Sequence, residues 1–226
     1  MGSRERWLDA LWPVVQAQLP TPPAQVVEIG CGPLGGFVPK LLGSGFTAIG
    51  VDPVAPDGPS YQRLEFETAE LPEQVDAVVA CTSLHHVADP AVAIDRIAGA
   101  LTQGGALIVI EWDWTRFDEP TARWCFERLG GTDDADNWLH RRRVEWERSG
   151  KAWDTYLRTW AEQERVHAGH ELVRLLDRRF DPVRRADGPF FFPDLAETSE
   201  ADERDAIGAG AIRANRIDYV GRAARA

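Results

Sequence analysis

The sequence predicts an α/β protein built on a doubly wound, mostly parallel sheet. Short apolar segments alternate along the chain with segments whose apolar residues follow helical spacing, as in strands joined by crossover helices. Residues 76–80 and 106–110 are apolar without polar alternation, which is typical of strands covered by helices on both faces. A glycine-rich turn follows the first such strand and precedes a helix, which is the repeating unit of a parallel sheet.

Length and composition predict one soluble globular domain. The chain has 226 residues, 44% hydrophobic and 27% charged, and we expect a single domain over 1–226. The 36 acidic against 25 basic residues give a net charge of -11, which disfavours nucleic acid and anionic membrane surfaces as partners. No secretory or membrane-spanning pattern is visible, and the three cysteines have no metal-ligand spacing, so we expect a cytoplasmic protein without a metal.

The elements of the first half follow in order. Residues 3–19 have apolar positions at helical spacing, and the prolines at 20, 22 and 23 end that helix. Residues 24–29 predict a strand that enters the glycine-rich turn. Residues 37–42 predict the next helix, and residues 47–52 predict the second strand.

The second half continues the alternation and then departs from it. Strands are predicted at 76–80 and 106–110, with a helix at 90–101 between them. Residues 120–179 read as helices broken near Gly130-Gly131 and Gly150, a stretch too long for one crossover connection. We expect its first part to be the last helix that covers the sheet and the rest to be a cap, and we place the helical insertion at 112–178. Strand, helix and strand follow at 180–192, 200–215 and 217–222.

The glycine-rich turn allows two interpretations. Gly30-x-Gly32-x-x-Gly35 has the letters of a dinucleotide-binding fingerprint, with Asp52 22 residues after Gly30. Glu28 separates the alternatives, because a carboxylate just before the loop disfavours a pyrophosphate and suits a cationic headgroup such as an α-amino group beside a sulfonium.

With these residues in view, the chain resembles the class I S-adenosylmethionine-dependent methyltransferases of the small-molecule type. The family's first motif, an acidic residue followed by Gly-x-Gly, is matched by Glu28, Gly30 and Gly32. The family's acidic residue that ends the second strand and binds the ribose hydroxyls falls on Asp52. The resemblance covers residues 24–111 and resumes at the C-terminus. It implies a seven-stranded sheet of the Rossmann-like methyltransferase type, with the seventh strand antiparallel.

The resemblance also implies a set of cofactor-binding residues. The segment that flanks the adenine resembles residues 68–72, with Thr68 where the family often has Asp. The residues expected to bind S-adenosylmethionine are Glu28, Gly30, Cys31, Gly32, Asp52, Pro53, Thr68, Ala69, Glu70, Cys81 and Thr82.

Catalytic residues are harder to identify from the sequence. His86 follows the fourth strand at the ligand-binding edge and is the first candidate for a general base, and His140 in the predicted cap is the second. For His86, packing against the sheet is an equally good interpretation. The tryptophans concentrated in residues 112–153 form either the core of the cap, which is the favoured interpretation, or a wall of an acceptor pocket.

Taken together, these features predict methyl transfer from S-adenosylmethionine to a small, fairly apolar molecule held between the sheet edge and the cap. Alignment of the reactants can supply much of the rate, so a visible catalytic residue is not required. The alternatives are a nicotinamide-dependent oxidoreductase, and a methyltransferase-fold protein with a non-methylating or regulatory role. A homodimer is possible.

Overall fold

A seven-stranded sheet organises the computed structural model, which describes residues 2–130 and 137–223. The strands are β1 (Gln25–Ile29), β2 (Thr47–Val51), β3 (Tyr61–Gln62), β4 (Val75–Cys81), β5 (Leu101–Trp112), β6 (Phe180–Gly188) and β7 (Arg216–Ala223). Their order in the sheet is β3-β2-β1-β4-β5-β7-β6. Strands β1 to β5 pair in parallel, and β7 is antiparallel to both β5 and β6. The predicted doubly wound α/β fold with an antiparallel seventh strand is confirmed.

Eight helices connect these strands in the described parts of the chain. They are α1 (Ser3–Gln16), α2 (Val38–Gly43), α3 (Pro90–Ala100), α4 (Glu119–Phe126), α5 (Trp138–Ser149), α6 (Trp153–Gln163), α7 (Gly169–Arg179) and α8 (Glu200–Gly208). Local sequence explains the start of α3, where the Asp89 side chain accepts hydrogen bonds from the backbone N–H groups of Ala91 and Val92 and Pro90 is the first helical residue. None of the helices that the structure describes is both long and apolar enough to cross a membrane.

The sheet has an apolar core on each face. One core packs the sheet against α3 and α7, and the other packs it against α1 and α2. Val26 and Val27 are neighbours on β1, yet both are buried, each in a different core. Burial on both faces explains why the strands lack alternation.

A third core contains most of the aromatic residues and lies beyond the end of β5. It joins α4, α5 and α6 to the segment before α8. Trp153 is at its centre, with no exposed surface, and its indole N–H donates a hydrogen bond to the Phe117 carbonyl at 2.5 Å. The favoured expectation of a tryptophan-containing core is therefore met by Trp153.

The helices of this region are arranged differently from the expectation. We expected the first helix of residues 120–179 to cover the sheet, but α4 belongs to the aromatic core and α7 covers the sheet. The reason lies in the apolar faces, because Leu172 and Leu176 of α7 are one turn apart and fill the core beside α3. Within the predicted insertion 112–178, α4 to α6 thus build the aromatic core and α7 covers the sheet.

Several element ends also differ from the predicted ones. The helix predicted at 200–215 ends at Gly208, and the strand predicted to 192 ends at Gly188. The two-residue strand β3 was not expected from the sequence. Gly131, at one predicted helix break, lies outside the described residues.

Candidate active site

A cavity of 340 Å³ opens where β1, β2 and β4 end, and we call it the glycine-loop cavity. Its walls are formed by Arg4, Ile29, Gly30, Gly32, Pro33, Val51, Asp52, Pro53, Glu65, Phe66, Glu67, Thr82, Ser83, His86 and Val87. Five of the residues expected to bind the cofactor are among them, namely Gly30, Gly32, Asp52, Pro53 and Thr82. The cavity lies between β1 and β4, where the strand order reverses and ligands bind in doubly wound sheets.

The glycines of the loop give a ligand access to the backbone. Gly30 has φ +79°, and a Cβ there would lie 2.3 Å from the Ser83 Cβ, so only glycine fits. At Gly32, also left-handed, a Cβ would meet nothing within 4 Å, because this residue borders open space. The Asp52 carboxylate fixes the loop by accepting hydrogen bonds from the N–H groups of Gly32 at 2.9 Å and Val54 at 2.8 Å.

Glu28 lies beneath this loop and does not line the cavity. Its side chain is fully buried; Oε2 accepts a hydrogen bond from the Phe37 N–H at 2.7 Å, and Oε1 has no hydrogen-bond partner within the described residues. A Cβ on Gly36 would lie 2.1 Å from that oxygen. Burial raises the pKa of Glu28 to about 8, so the group is protonated over much of the neutral range.

The two cysteines among the expected residues lie away from the cavity surface. Cys31 is buried, and its Sγ would be 2.9 Å from a Cβ on Gly50. Cys81 is buried at the end of β4. Burial raises the pKa of each thiol to about 12, which keeps both protonated and unreactive.

The expected adenine segment is also displaced from the cavity. Thr68 and Glu70 are exposed and Ala69 is buried in a core, and none of these three residues lines the cavity. Residues 65–67 line it instead. The shift arises because residues 65–69 form a tight turn, which Arg96 holds through hydrogen bonds to its backbone carbonyls.

A second cavity of 460 Å³ adjoins the first, and we call it the aromatic cavity. Its apolar walls are the rings of Trp7, Trp112, Trp138, Trp160 and Phe190, and its other lining residues are Ser3, Arg4, Thr82, His85, His86, Pro193 and Asp194. Trp112 and Phe190 stack with centroids 5.8 Å apart and planes 11° apart. The two cavities share Arg4, Thr82 and His86.

His85 and Glu111 form a buried pair at the wall of the aromatic cavity. His85 Nδ1 lies 2.5 Å from Glu111 Oε2. The other carboxylate oxygen accepts hydrogen bonds from the N–H groups of Ser83 at 2.9 Å and Leu84 at 2.7 Å. Because His85 is in the short helical turn after β4 and Glu111 is near the end of β5, the neighbouring parallel strands bring the two side chains together.

The two histidines selected from the sequence occupy different surroundings. His86 lines both cavities, and burial lowers its pKa to about 4, so its ring is neutral near neutral pH. His140 is on α5 and lines neither cavity. Its Nδ1 is buried and makes no hydrogen bond within the part of the chain that the structure describes.

Arg4 and His85 are not among the candidate site residues predicted from the sequence. Arg4 extends from α1 to donate a hydrogen bond to the Thr82 hydroxyl at 3.1 Å, a contact between residues far apart in the chain. A usable signal existed for His85 and Glu111, because His85 follows one predicted strand of the parallel sheet and Glu111 directly follows the next one. Within residues 2–130 and 137–223, no group of three or more His, Cys, Asp or Glu side chains could hold a metal ion.

A cavity at the carboxyl ends of the strands, where the strand order reverses, is typical of α/β proteins that bind nucleoside-containing ligands. The chain belongs to the methyltransferase family, since the family model described as "Methyltransferase domain" matches residues 4–179. The predicted membership of the class I S-adenosylmethionine-dependent methyltransferases, a family whose methyl donor is S-adenosylmethionine, is confirmed. The nicotinamide-dependent alternative is not supported.

Known proteins similar to this chain fit that assignment. An uncharacterized methyltransferase of Mycobacterium tuberculosis is 32% identical over 115 residues, which are 45% of this chain and 56% of the relative, so the match spans about half of that protein. The structure of an S-adenosylmethionine-dependent methyltransferase from Mesorhizobium loti aligns with TM-score 0.59 and 21% identity, covering 95% of this chain and 99% of that one. The N-methyltransferase NodS from Bradyrhizobium japonicum, solved with S-adenosyl-L-homocysteine, aligns with TM-score 0.53 and 16% identity, covering 97% and 86%.

Proposed function

We propose that this protein transfers a methyl group from S-adenosylmethionine in the glycine-loop cavity to a small, largely aromatic molecule in the aromatic cavity. The observation that carries the proposal is the contact between the two cavities, which share Arg4, Thr82 and His86. A methyl donor and an acceptor placed on either side of these residues would be held for direct displacement, and such alignment is worth about 7–11 kcal/mol of barrier.

The residues around the glycine-loop cavity suit such a donor, which supplies an electrophilic methyl group when bound. The two Asp52 oxygens are placed at the cavity wall and can accept hydrogen bonds from vicinal ribose hydroxyls. The open backbone at Gly32 allows close approach of the ligand. Arg4 offers a guanidinium for the methionyl carboxylate, because it is the one arginine among the described residues that line both cavities.

The lining of the aromatic cavity supports the choice of acceptor. Five aromatic rings face a space of 460 Å³, which suits a flat, apolar molecule of one to three rings. The tryptophans thus serve both earlier interpretations, with Trp153 in the core and Trp112, Trp138 and Trp160 at the cavity.

Calorimetry tests the donor site. We expect S-adenosylhomocysteine to bind the wild type in the micromolar range. Asp52→Ala should weaken binding about 10²–10⁴-fold, because two hydrogen bonds to a charged acceptor are lost at about 1.5–3 kcal/mol each. Asp57→Ala, which removes a carboxylate 95% exposed, is the matched control and should bind like the wild type. Absence of heat with the wild type would reject the donor assignment, and tight binding without transfer to any acceptor would favour the non-methylating or regulatory alternative.

We also propose a cytoplasmic enzyme that acts on a dissolved small molecule and needs no nucleic acid. The net charge of -11 supports the exclusion of nucleic acid. A homodimer stays a prediction, which sedimentation equilibrium of the full chain can test.

A further inference from the structure

We propose that His85 is the general base of this enzyme, that Glu111 positions it, and that the acceptor atom is the oxygen of a phenol-type hydroxyl group. This inference rests on the proposed methyl transfer and goes further by naming the base and the acceptor atom. It replaces His86 and His140 as candidates for the base.

The hydrogen bonds around the pair leave one nitrogen of His85 available. Glu111 Oε2 is hydrogen-bonded to His85 Nδ1 at 2.5 Å, which fixes the ring and favours the tautomer with the proton on Nδ1. Nε2 makes no hydrogen bond to any residue that the structure describes. It is also not one of the described polar atoms that are fully buried without a hydrogen-bond partner. Since His85 lines the aromatic cavity, Nε2 is the ring nitrogen that an acceptor can reach.

Glu111 is held firmly enough to position the ring. Its side chain is about 2% exposed, and its second oxygen is fixed by the N–H groups of Ser83 and Leu84. A carboxylate oriented in this way stabilises the imidazolium that forms when Nε2 takes a proton. The arrangement resembles the base and orienting group of other acid–base sites, and within the described residues neither His86 nor His140 has such a carboxylate partner.

The charged groups near His85 are few. His86 packs on it with ring centroids 4.1 Å apart, and its lowered pKa of about 4 makes it neutral and a weak base. The backbone N–H of His167 donates a hydrogen bond to the His85 carbonyl. The Trp112 ring lies edge-on to the His85 ring, with ring centroids 6.4 Å apart. Arg4 and Asp194 complete the charged lining of the cavity.

The proposed step is balanced within this pair and the two reactants. The hydroxyl proton passes to His85 Nε2 while an oxygen lone pair forms the new bond to the methyl carbon. The electron pair of the broken carbon–sulfur bond stays on sulfur, which loses its positive charge. The imidazolium, paired with the Glu111 carboxylate, then releases the proton to water.

A base of this kind identifies the acceptor atom. An uncharged amine attacks through its own lone pair, and a thiol ionises readily, whereas a phenol at neutral pH must lose its proton as it reacts. The reference pKa values of about 8.5 for a thiol and about 10 for a phenol show the difference. The aromatic walls favour an aryl group as the carrier of that hydroxyl.

Two probes of the same shape test the base. With 2-naphthol, His85→Ala should lower kcat/KM by about 10²–10⁴-fold, whereas with 2-naphthalenethiol, ionised at mildly alkaline pH, the loss should be less than about tenfold. Added imidazole should restore part of the naphthol activity. His170→Ala, a control at a half-exposed histidine that lines neither cavity, should match the wild type. Equal losses with both probes would overturn the proposal.

Histidine-ring ¹⁵N spectra give a readout that does not depend on turnover. The chain has five histidines, so His85→Ala identifies the resonance. In the wild type we expect Nδ1 to carry the proton and the Nε2 signal to move when 2-naphthol is added. Glu111→Gln should mix the tautomers and lower kcat more than it raises KM. An Nε2 that carries the proton, or does not respond to naphthol, would contradict the proposal.

Binding of S-adenosylhomocysteine separates failure of this inference from failure of the proposed function. Variants that bind it like the wild type are folded, and His85→Gln replaces His85→Ala if the latter does not bind. A wild type that binds it and methylates naphthol while His85 variants keep full activity would reject the base alone. A wild type that binds it but transfers to neither probe would reject the phenol-type acceptor, and one that does not bind it would reject the methyl-donor site.

Discussion

Replacing Glu28 by glutamine should make the protein more stable, and the gain should increase with pH. Glu28 is fully buried, and its pKa in the folded state is about 8 against an ordinary value of 4.5. Between these two values the folded protein holds a proton that the unfolded chain has lost. Stability therefore falls as pH rises from about 4.5 to 8 and is constant on either side.

The size of the effect follows from the shift. Each pH unit costs about 1.4 kcal/mol, so the whole window amounts to about 5 kcal/mol, a large part of the ~5–15 kcal/mol that stabilises a typical domain. Glutamine can still accept the hydrogen bond from Phe37 and carries no charge at any pH. Between about pH 5.5 and 7.5 the stability gain of Glu28→Gln over the wild type should increase by roughly 3 kcal/mol.

Urea unfolding followed by circular dichroism at these two pH values measures the difference. Glu73→Gln, at an exposed glutamate, is the control and should show no such increase. Parallel stability curves for Glu28→Gln and the wild type would refute the reasoning, because they would mean that Glu28 titrates alike in the folded and unfolded chain.

Three other predictions concern the loop and the aromatic core. Gly36→Ala should destabilise the fold by more than ~2 kcal/mol and weaken binding of S-adenosylhomocysteine, because the added Cβ would lie 2.1 Å from Glu28 Oε1 and the residue has φ +57°. The control is Gly99→Ala, at an exposed position of α3, which should add about 0.5–1 kcal/mol of stability in the same urea titrations. Trp153→Ala should cost about 3–5 kcal/mol by thermal or urea unfolding, and a loss below ~1 kcal/mol would contradict its central place in the aromatic core. Binding of S-adenosylmethionine near neutral pH should release protons, because a cationic ligand in the glycine-loop cavity favours the ionised form of the Glu28 carboxyl buried beneath the loop. Calorimetry in two buffers of different ionisation enthalpy should detect this release, and Glu28→Gln should abolish it.

The sequence was sufficient where a residue's role depends on near neighbours in the chain. The Gly-x-Gly turn, Asp52 at the end of β2 and the non-alternating strands each require a local backbone geometry or burial on both faces, and the sheet forms as predicted. Gly32, Asp52 and Thr82 accordingly meet in one cavity.

The sequence was insufficient where contacts between distant segments decide. Arg96 on α3 holds the turn at residues 65–69, so residues 65–67 and not Thr68 to Glu70 face the cavity. Arg4 reaches Thr82 only because α1 packs across the sheet. Similarly, the choice between His85 and His86 depends on which ring meets Glu111, and helical spacing alone does not determine this.

The most direct test of the account is a crystal structure of the wild type with S-adenosylhomocysteine. We expect the ribose hydroxyls on the Asp52 carboxylate and the sulfur turned toward the opening near His86, with free space beyond it leading to His85 Nε2. A ligand whose sulfur faces away from the aromatic cavity, or one bound outside the glycine-loop cavity, would contradict it.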